Sequence, residues 1–256
     1  MLFCMAFTTN AQEIFFVQND ERGKMDYYSL SSKGRTYIIN NEINLYWNRD
    51  IVEKQNFLVG AGFKEPFLGR ISHFDERNPL RRLVFYKDTQ YLVILDNQLT
   101  EIGRLSLIEK FPEITASYAS LTAQSTIWIF DENSKRWCIL SSLKGQLQFV
   151  SNPVYHYDFL TSDGNYAYWK NATQVYGIDI YGKIIKEKIL PENARMLAIN
   201  KNKIVYQLNN DVFLFNTENN TKKQLEEIES KVEKVVFGVE FLNILTKDEI
   251  FTYYIK

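Results

Sequence analysis

Short apolar runs alternate with short polar breaks along this chain, and the clearest unit is Lys203–Asn216, KIVYQLNNDVFLFN. Two runs rich in Val, Ile, Tyr and Phe flank Asn209-Asn210-Asp211, the pattern of two antiparallel strands joined by a tight turn. The same form returns as LVFYKDTQYLVIL, with Lys87–Gln90 as its turn. Runs at Tyr27–Leu30, Arg70–Phe74, Ser117–Leu121, Tyr155–Leu160, Met196–Ile199 and Val232–Phe237 each open a group of three or four strands, with a period of about 40 residues. A solenoid needs shorter coils and a sandwich does not hold such a period, whereas four strands per period is the mark of a propeller blade. The pattern predicts an all-β, six-bladed β-propeller of four-stranded antiparallel blades.

The ends of the pattern predict how the ring closes. The sixth group supplies three strands, the last at Ile250–Tyr254, while Ile14–Val17 is an apolar run with no partner in its own neighbourhood. An unpaired strand edge exposes a row of backbone donors and acceptors, so Ile14–Val17 is expected to pair with Ile250–Tyr254 as the outermost strand of the final blade. The fourth strand of the first group reads as Asn56–Val59, followed by a loose stretch with Gly60, Gly62, Pro66 and Gly69. Two stretches have helical character: Ile108–Phe111, which stops at Pro112, and Gln224–Val235, with charges at helical spacing.

The first eleven residues differ in kind. An apolar Met1–Phe7 followed by small polar residues through Ala11, and then by Gln12-Glu13, has the order of a signal-peptide core and cleavage site, although no Lys or Arg precedes it. The expected organisation is a signal-peptide remnant at residues 1–11 and one propeller domain over residues 12–256, exported to the periplasm or outer membrane. Export would leave Cys138 as the single cysteine of the mature chain, so no internal disulfide forms, and its apolar strand makes it a buried small hydrophobe. No other apolar run reaches membrane-helix length. Thirty Lys+Arg against thirty-one Asp+Glu leave a net charge of −1, which provides no field for nucleic acid.

Candidate chemistry is sparse. His73 and His156 each fall in the expected first strand of a group, where propeller strands line the central channel, and Asp75 and Asp158 share their faces two residues on. Two histidines with an aspartate are a possible metal set. Without metal-like spacing they read instead as polar channel-wall side chains, with no metal and no cofactor. There is no G-x-S-x-G elbow, H-E-x-x-H pair or glycine-rich phosphate loop.

The N-A-Q-E region, Asn78–Gly103 (NPLRRLVFYKDTQYLVILDNQLTEIG), Thr126–Ser134 (TIWIFDENS) and Ile178–Leu190 (IDIYGKIIKEKIL) together resemble a functionally uncharacterised group of exported β-propeller-like proteins of Bacteroidota-type bacteria. The resemblance covers most of the mature chain and implies fold and export, with no catalytic residues to carry over. The expectation is a non-catalytic, monomeric module that binds or scaffolds a protein partner in the cell envelope. The alternative is a small-molecule or glycan hydrolase or lyase working in the central channel, and ligand sensing through channel aromatics is a third reading.

Overall fold

The computed structural model describes residues 14–31, 34–47, 58–225, 228, 230–238 and 240–255, and they form six four-stranded antiparallel sheets arranged as the blades of a propeller. Blade one is β2 (Met25–Ser31), β3 (Gly34–Ile39), β4 (Glu42–Trp47) and β5 (Leu58–Lys64). Blade two is β6 (His73–Asp75), β7 (Arg82–Tyr86), β8 (Tyr91–Leu95) and β9 (Glu101–Ser106). A single helical turn, α1 (Leu107–Lys110), leads to blade three: β10 (Ala116–Leu121), β11 (Ile127–Asp131), β12 (Arg136–Leu140) and β13 (Leu147–Phe149). Blade four is β14 (Phe159–Ser162), β15 (Tyr166–Asn171), β16 (Gln174–Asp179) and β17 (Ile184–Ile189), and blade five is β18 (Arg195–Asn200), β19 (Lys203–Leu208), β20 (Asp211–Asn216) and β21 (Thr221–Leu225).

Blade six closes the ring as the sequence predicts. Its strands β22 (Lys234–Phe237), β23 (Phe241–Leu245) and β24 (Glu249–Ile255) come from the end of the chain, and β1 (Ile14–Glu21) adds the outer edge. The β1–β24 register runs from Ile14 opposite Ile255 to Glu21 opposite Glu249, with a bulge between Phe16 and Gln18.

Burial of both faces explains why the middle strands are continuous apolar runs. In β7, Leu83 and Phe85 pack with Ile127, Ile129 and Cys138 of blade three, while Val84 and Tyr86 pack with Ile38, Ile43 and Leu45 of blade one. Side chains alternate between sheet faces; because each blade is covered on both sides by its neighbours, all five residues of β7 are buried, as are all five of β11. The turns use residues that tolerate a left-handed backbone: Asn40 and Asn41 have φ of 50° and 63°, and Asn209 has 56°. Gly182 is required twice over, since its φ is 90° and an added Cβ would lie 2.3 Å from the Val150 carbonyl oxygen of blade three.

Several boundaries differ from the sequence pattern. The expected first strand Tyr155–Leu160 is in fact β14 at Phe159–Ser162. Residues 151–158 are a connecting segment held to blade three by the Val154 N–H, which donates to the Lys135 carbonyl at 2.6 Å; their backbone meets blade four at Asp158, whose N–H donates to the Lys170 carbonyl. The expected Arg70–Phe74 strand is shorter and later, at His73–Asp75, because the Ile71 N–H is taken by the Asn41 side chain at 2.6 Å. The glycine-containing stretch after Val59 belongs to β5, where Gly62 pairs with Asn44. Thr221–Leu225 is a strand, so the helical option there fails at its start, whereas α1 appears near its expected place, capped by the Ser106 hydroxyl accepting from the Glu109 N–H. The expected signal segment Met1–Ala11 with Cys4, and the Asn56 end of the first blade's fourth strand, lie outside the described residues. Among the described residues no helix is long and apolar enough to cross a membrane.

Candidate functional site

Consecutive inner strands contact one another around the ring, β6 with β10, β10 with β14, β14 with β18, β18 with β22 and β22 with β2. His73 opens the inner strand β6, and its ring lies 4.8 Å from that of Tyr118 on β10. Burial lowers its pKa to about 4; the Asp75 carboxylate opposes that shift, and Lys234 and Arg77 add to it. His73 is therefore a neutral imidazole at neutral pH.

Asp75, at the other end of β6, belongs to a clasp. Its carboxylate accepts from Arg77 Nε at 2.8 Å and from the Leu121 N–H of blade three at 2.8 Å. Arg77 reaches onward to the Ser162 carbonyl of blade four at 2.8 Å and the Leu121 carbonyl at 3.0 Å. Burial alone would raise the Asp75 pKa, but the guanidinium, His73 and the Leu121 amide together hold it at about 2. Asp163 does the same work one blade on, accepting from the Lys201 N–H of blade five at 2.9 Å and from the Tyr168 hydroxyl at 2.7 Å. These carboxylates tie the end of one inner strand to the adjoining blade.

His156 and Asp158 lie elsewhere. Both are exposed residues of the connecting segment before β14, and Asp158 forms an ion pair with the buried ammonium of Lys170. His156 lines an outer groove, whereas His73 lines a separate cavity among the inner strands. Among the described residues no three His, Cys, Asp or Glu side chains converge as a metal set. Cys138 is buried, and that burial pushes its thiol up to about 12, which leaves it without nucleophilic character.

Two concave features carry the remaining chemistry. The first is a cavity of about 460 Å³ at the start of the inner strands of blades six, one and two, where Arg22, Asp26, Arg70, His73, Asp88 and Lys234 meet. The second is a groove of about 330 Å³ between the connecting segment and blade four, lined by Val154, Tyr155, His156, Trp169, Tyr176 and Ile184. Trp169 and Tyr176 stack in it, with centroids 5.2 Å apart and an interplanar angle of 16°. Tyr155 at 70%, Tyr181 at 86% and Ile184 at 52% remain exposed around it. Sequence reasoning missed Lys234, although it opens β22 as His73 opens β6, an equivalence that superimposing the repeats would have exposed.

No family model and no curated protein sequence matches the chain. Solved structures match it widely in fold. A streptogramin B lyase superposes with a TM-score of 0.58 at 14% identity, over 91% of this chain and 80% of that one. A catalytically inactive virginiamycin B lyase from Staphylococcus aureus, solved with quinupristin, gives 0.57 at 12% identity, over 94% of this chain and 99% of that one. BBS1N in complex with ARL6DN gives 0.54 at 13% identity, over 87% of this chain and 74% of that one. At these identities the likeness is one of fold, and the chain is a six-bladed β-propeller.

Proposed function

We propose that this chain is an exported, non-catalytic propeller that binds or scaffolds a protein partner in the cell envelope through the rim between blades three and four. The observation that carries the reading is the exposed aromatic and aliphatic set of Tyr155, Tyr181 and Ile184 around a groove floored by the Trp169–Tyr176 stack. Large exposed apolar side chains grouped beside a concavity mark protein interaction sites, and aromatic anchors dominate their energetics. The similar BBS1N propeller was solved with a protein bound, so a partner-holding use suits the architecture.

The test compares native-envelope pull-downs by wild-type protein and the Tyr155→Ser/Tyr181→Ser variant, with melting temperature as the folding control. A specific protein retained by the first and lost by the second, at unchanged melting temperature, is the expected result. Equal retention by both would move the interface elsewhere. Turnover in a broad ester, lactone and glycan screen, abolished by a channel substitution, would replace the binding reading with the enzymatic one. Export is checked by intact mass: protein from its native host should begin at or near Gln12, and a species retaining Met1 would sink it.

A further inference from the structure

We propose that the cavity at the start of the inner strands of blades six, one and two binds a small zwitterion, an α-amino acid or a short peptide, with its carboxylate on Lys234 and its ammonium on Asp88. The argument starts from which charges in the cavity are already matched. Arg22 is held by Glu233 and by the carbonyls of Met25 and Thr246. Arg70 faces Asp26 at 3.3 Å. Lys234 has no carboxylate within ion-pair distance among the described residues; its ammonium meets only the Asp26 carbonyl at 3.5 Å and the face of the Tyr27 ring at 5.2 Å. A half-buried cation that has only a carbonyl, a ring face and the Asp26 carboxylate beyond ion-pair distance to offset its burial is better compensated when an anion reaches it.

The opposite charge stands on another wall. Asp88, in the turn between β7 and β8, lines the same cavity, and among the described residues it makes no hydrogen bond or ion pair. Lys234 comes from blade six and Asp88 from blade two, so one open cation and one open carboxylate are presented by different blades to a shared space. The cavity holds three cations (Arg22, Arg70, Lys234) and three carboxylates (Asp26, Asp88, Glu233), and 3 − 3 leaves no net charge. That balance disfavours a multiply charged anion such as phosphate, which would face all three carboxylates, and favours a ligand carrying one charge of each sign. A volume of about 460 Å³ lies in the range of small-molecule sites and is too small for a folded partner.

The experiment titrates the full chain by calorimetry and thermal shift with the twenty amino acids and glycylglycine. N-acetylglycine lacks the ammonium, glycinamide lacks the carboxylate, and inorganic phosphate is the anion control. At least one zwitterion should raise the melting temperature, with the singly blocked analogues and phosphate at least tenfold weaker. Lys234→Met and Asp88→Asn should each weaken binding tenfold or more. Asp88 is an exposed turn residue, so its variant reports on binding even if Lys234→Met folds poorly. The proposal is overturned if no zwitterion binds, if N-acetylglycine or phosphate binds as well as the zwitterion, or if Asp88→Asn binds unchanged. It is independent of the rim between blades three and four, because Tyr155→Ser/Tyr181→Ser should leave this binding intact.

Discussion

Asp75 and Arg77, two residues apart in sequence, bring three blades together, and the pH dependence of stability should show it. The Asp75 side chain is 2% exposed while Arg77 keeps 30% of its side chain in water. Removing the carboxylate with Asp75→Ala strands the guanidinium, and the cost should be about 3 kcal/mol, the low end for a broken buried pair because Arg77 stays partly solvated. Urea denaturation measures it. The Asp75 pKa is depressed from 3.8 to about 2, so its contribution is full above about pH 4 and is lost as pH falls through 2. His73 is depressed from 6.5 to about 4; the unfolded chain takes up its proton first, so stability falls as pH drops from 6.5 through 4. Wild-type stability should therefore decline in two stages on acidification. His73→Phe removes the upper stage and Asp75→Asn the lower. An NMR midpoint for His73 near 6.5 would show the ring to be solvated and refute the upper stage.

Strands differ in how much stability they carry, and the difference follows from how many faces each one buries. Phe85 on β7 is fully buried between blades, so Phe85→Ala should cost about 3–5 kcal/mol, whereas Phe149 on the outer strand β13 is 42% exposed and Phe149→Ala should change stability by less than about 0.5 kcal/mol. Denaturant midpoints of the two variants settle the contrast. The same physics decided what the sequence disclosed. LVFY and IWIF are legible because burial on both faces forces every position to be apolar. The outer strands resist reading: TKKQL in β21 buries one residue in five, and β5 contains Gly60 and Gly62, since an edge facing water imposes no such pattern. Tyr155–Asp158 imitates a strand in its alternation, yet Val154 just before it is bonded to blade three and the segment's backbone meets blade four at Asp158. The clasp was illegible for another reason. Arg77 bonds Leu121 and Ser162, 44 and 85 residues away, and only the closed ring makes them neighbours.

Ring closure places one seam under different constraints from the others. Between blades two and three thirteen buried residues form the apolar cluster among the described residues, but between blades six and one the corresponding cluster is Tyr28, Leu245 and Ile250. On the same face as Leu245 and Ile250 lie Asn243 and Thr252, both fully buried. The Thr252 hydroxyl donates to Asn243 Oδ1 at 3.1 Å, while the Asn243 amide nitrogen has no partner among the described residues. With less buried apolar surface among the described residues, even counting Val236 of blade six against Tyr27 of blade one, and with an unmet donor, this seam gains less from burial, and the backbone ladder between β1 and β24 must hold more of the closure. Deleting residues 14–18 removes the pairs of Ile14, Phe15, Phe16 and Gln18 with β24. At about 1 kcal/mol net per bond the loss is roughly 4 kcal/mol, which lowers the melting temperature by about 10 °C. The uncovered edge of β24 should then recruit other chains, so sedimentation should show oligomers or aggregates. The readout that would overturn this is a deletion variant that stays monomeric and melts with the parent, because closure would then reside in side-chain contacts across the seam and not in the strand that the N-terminus lends to the last blade.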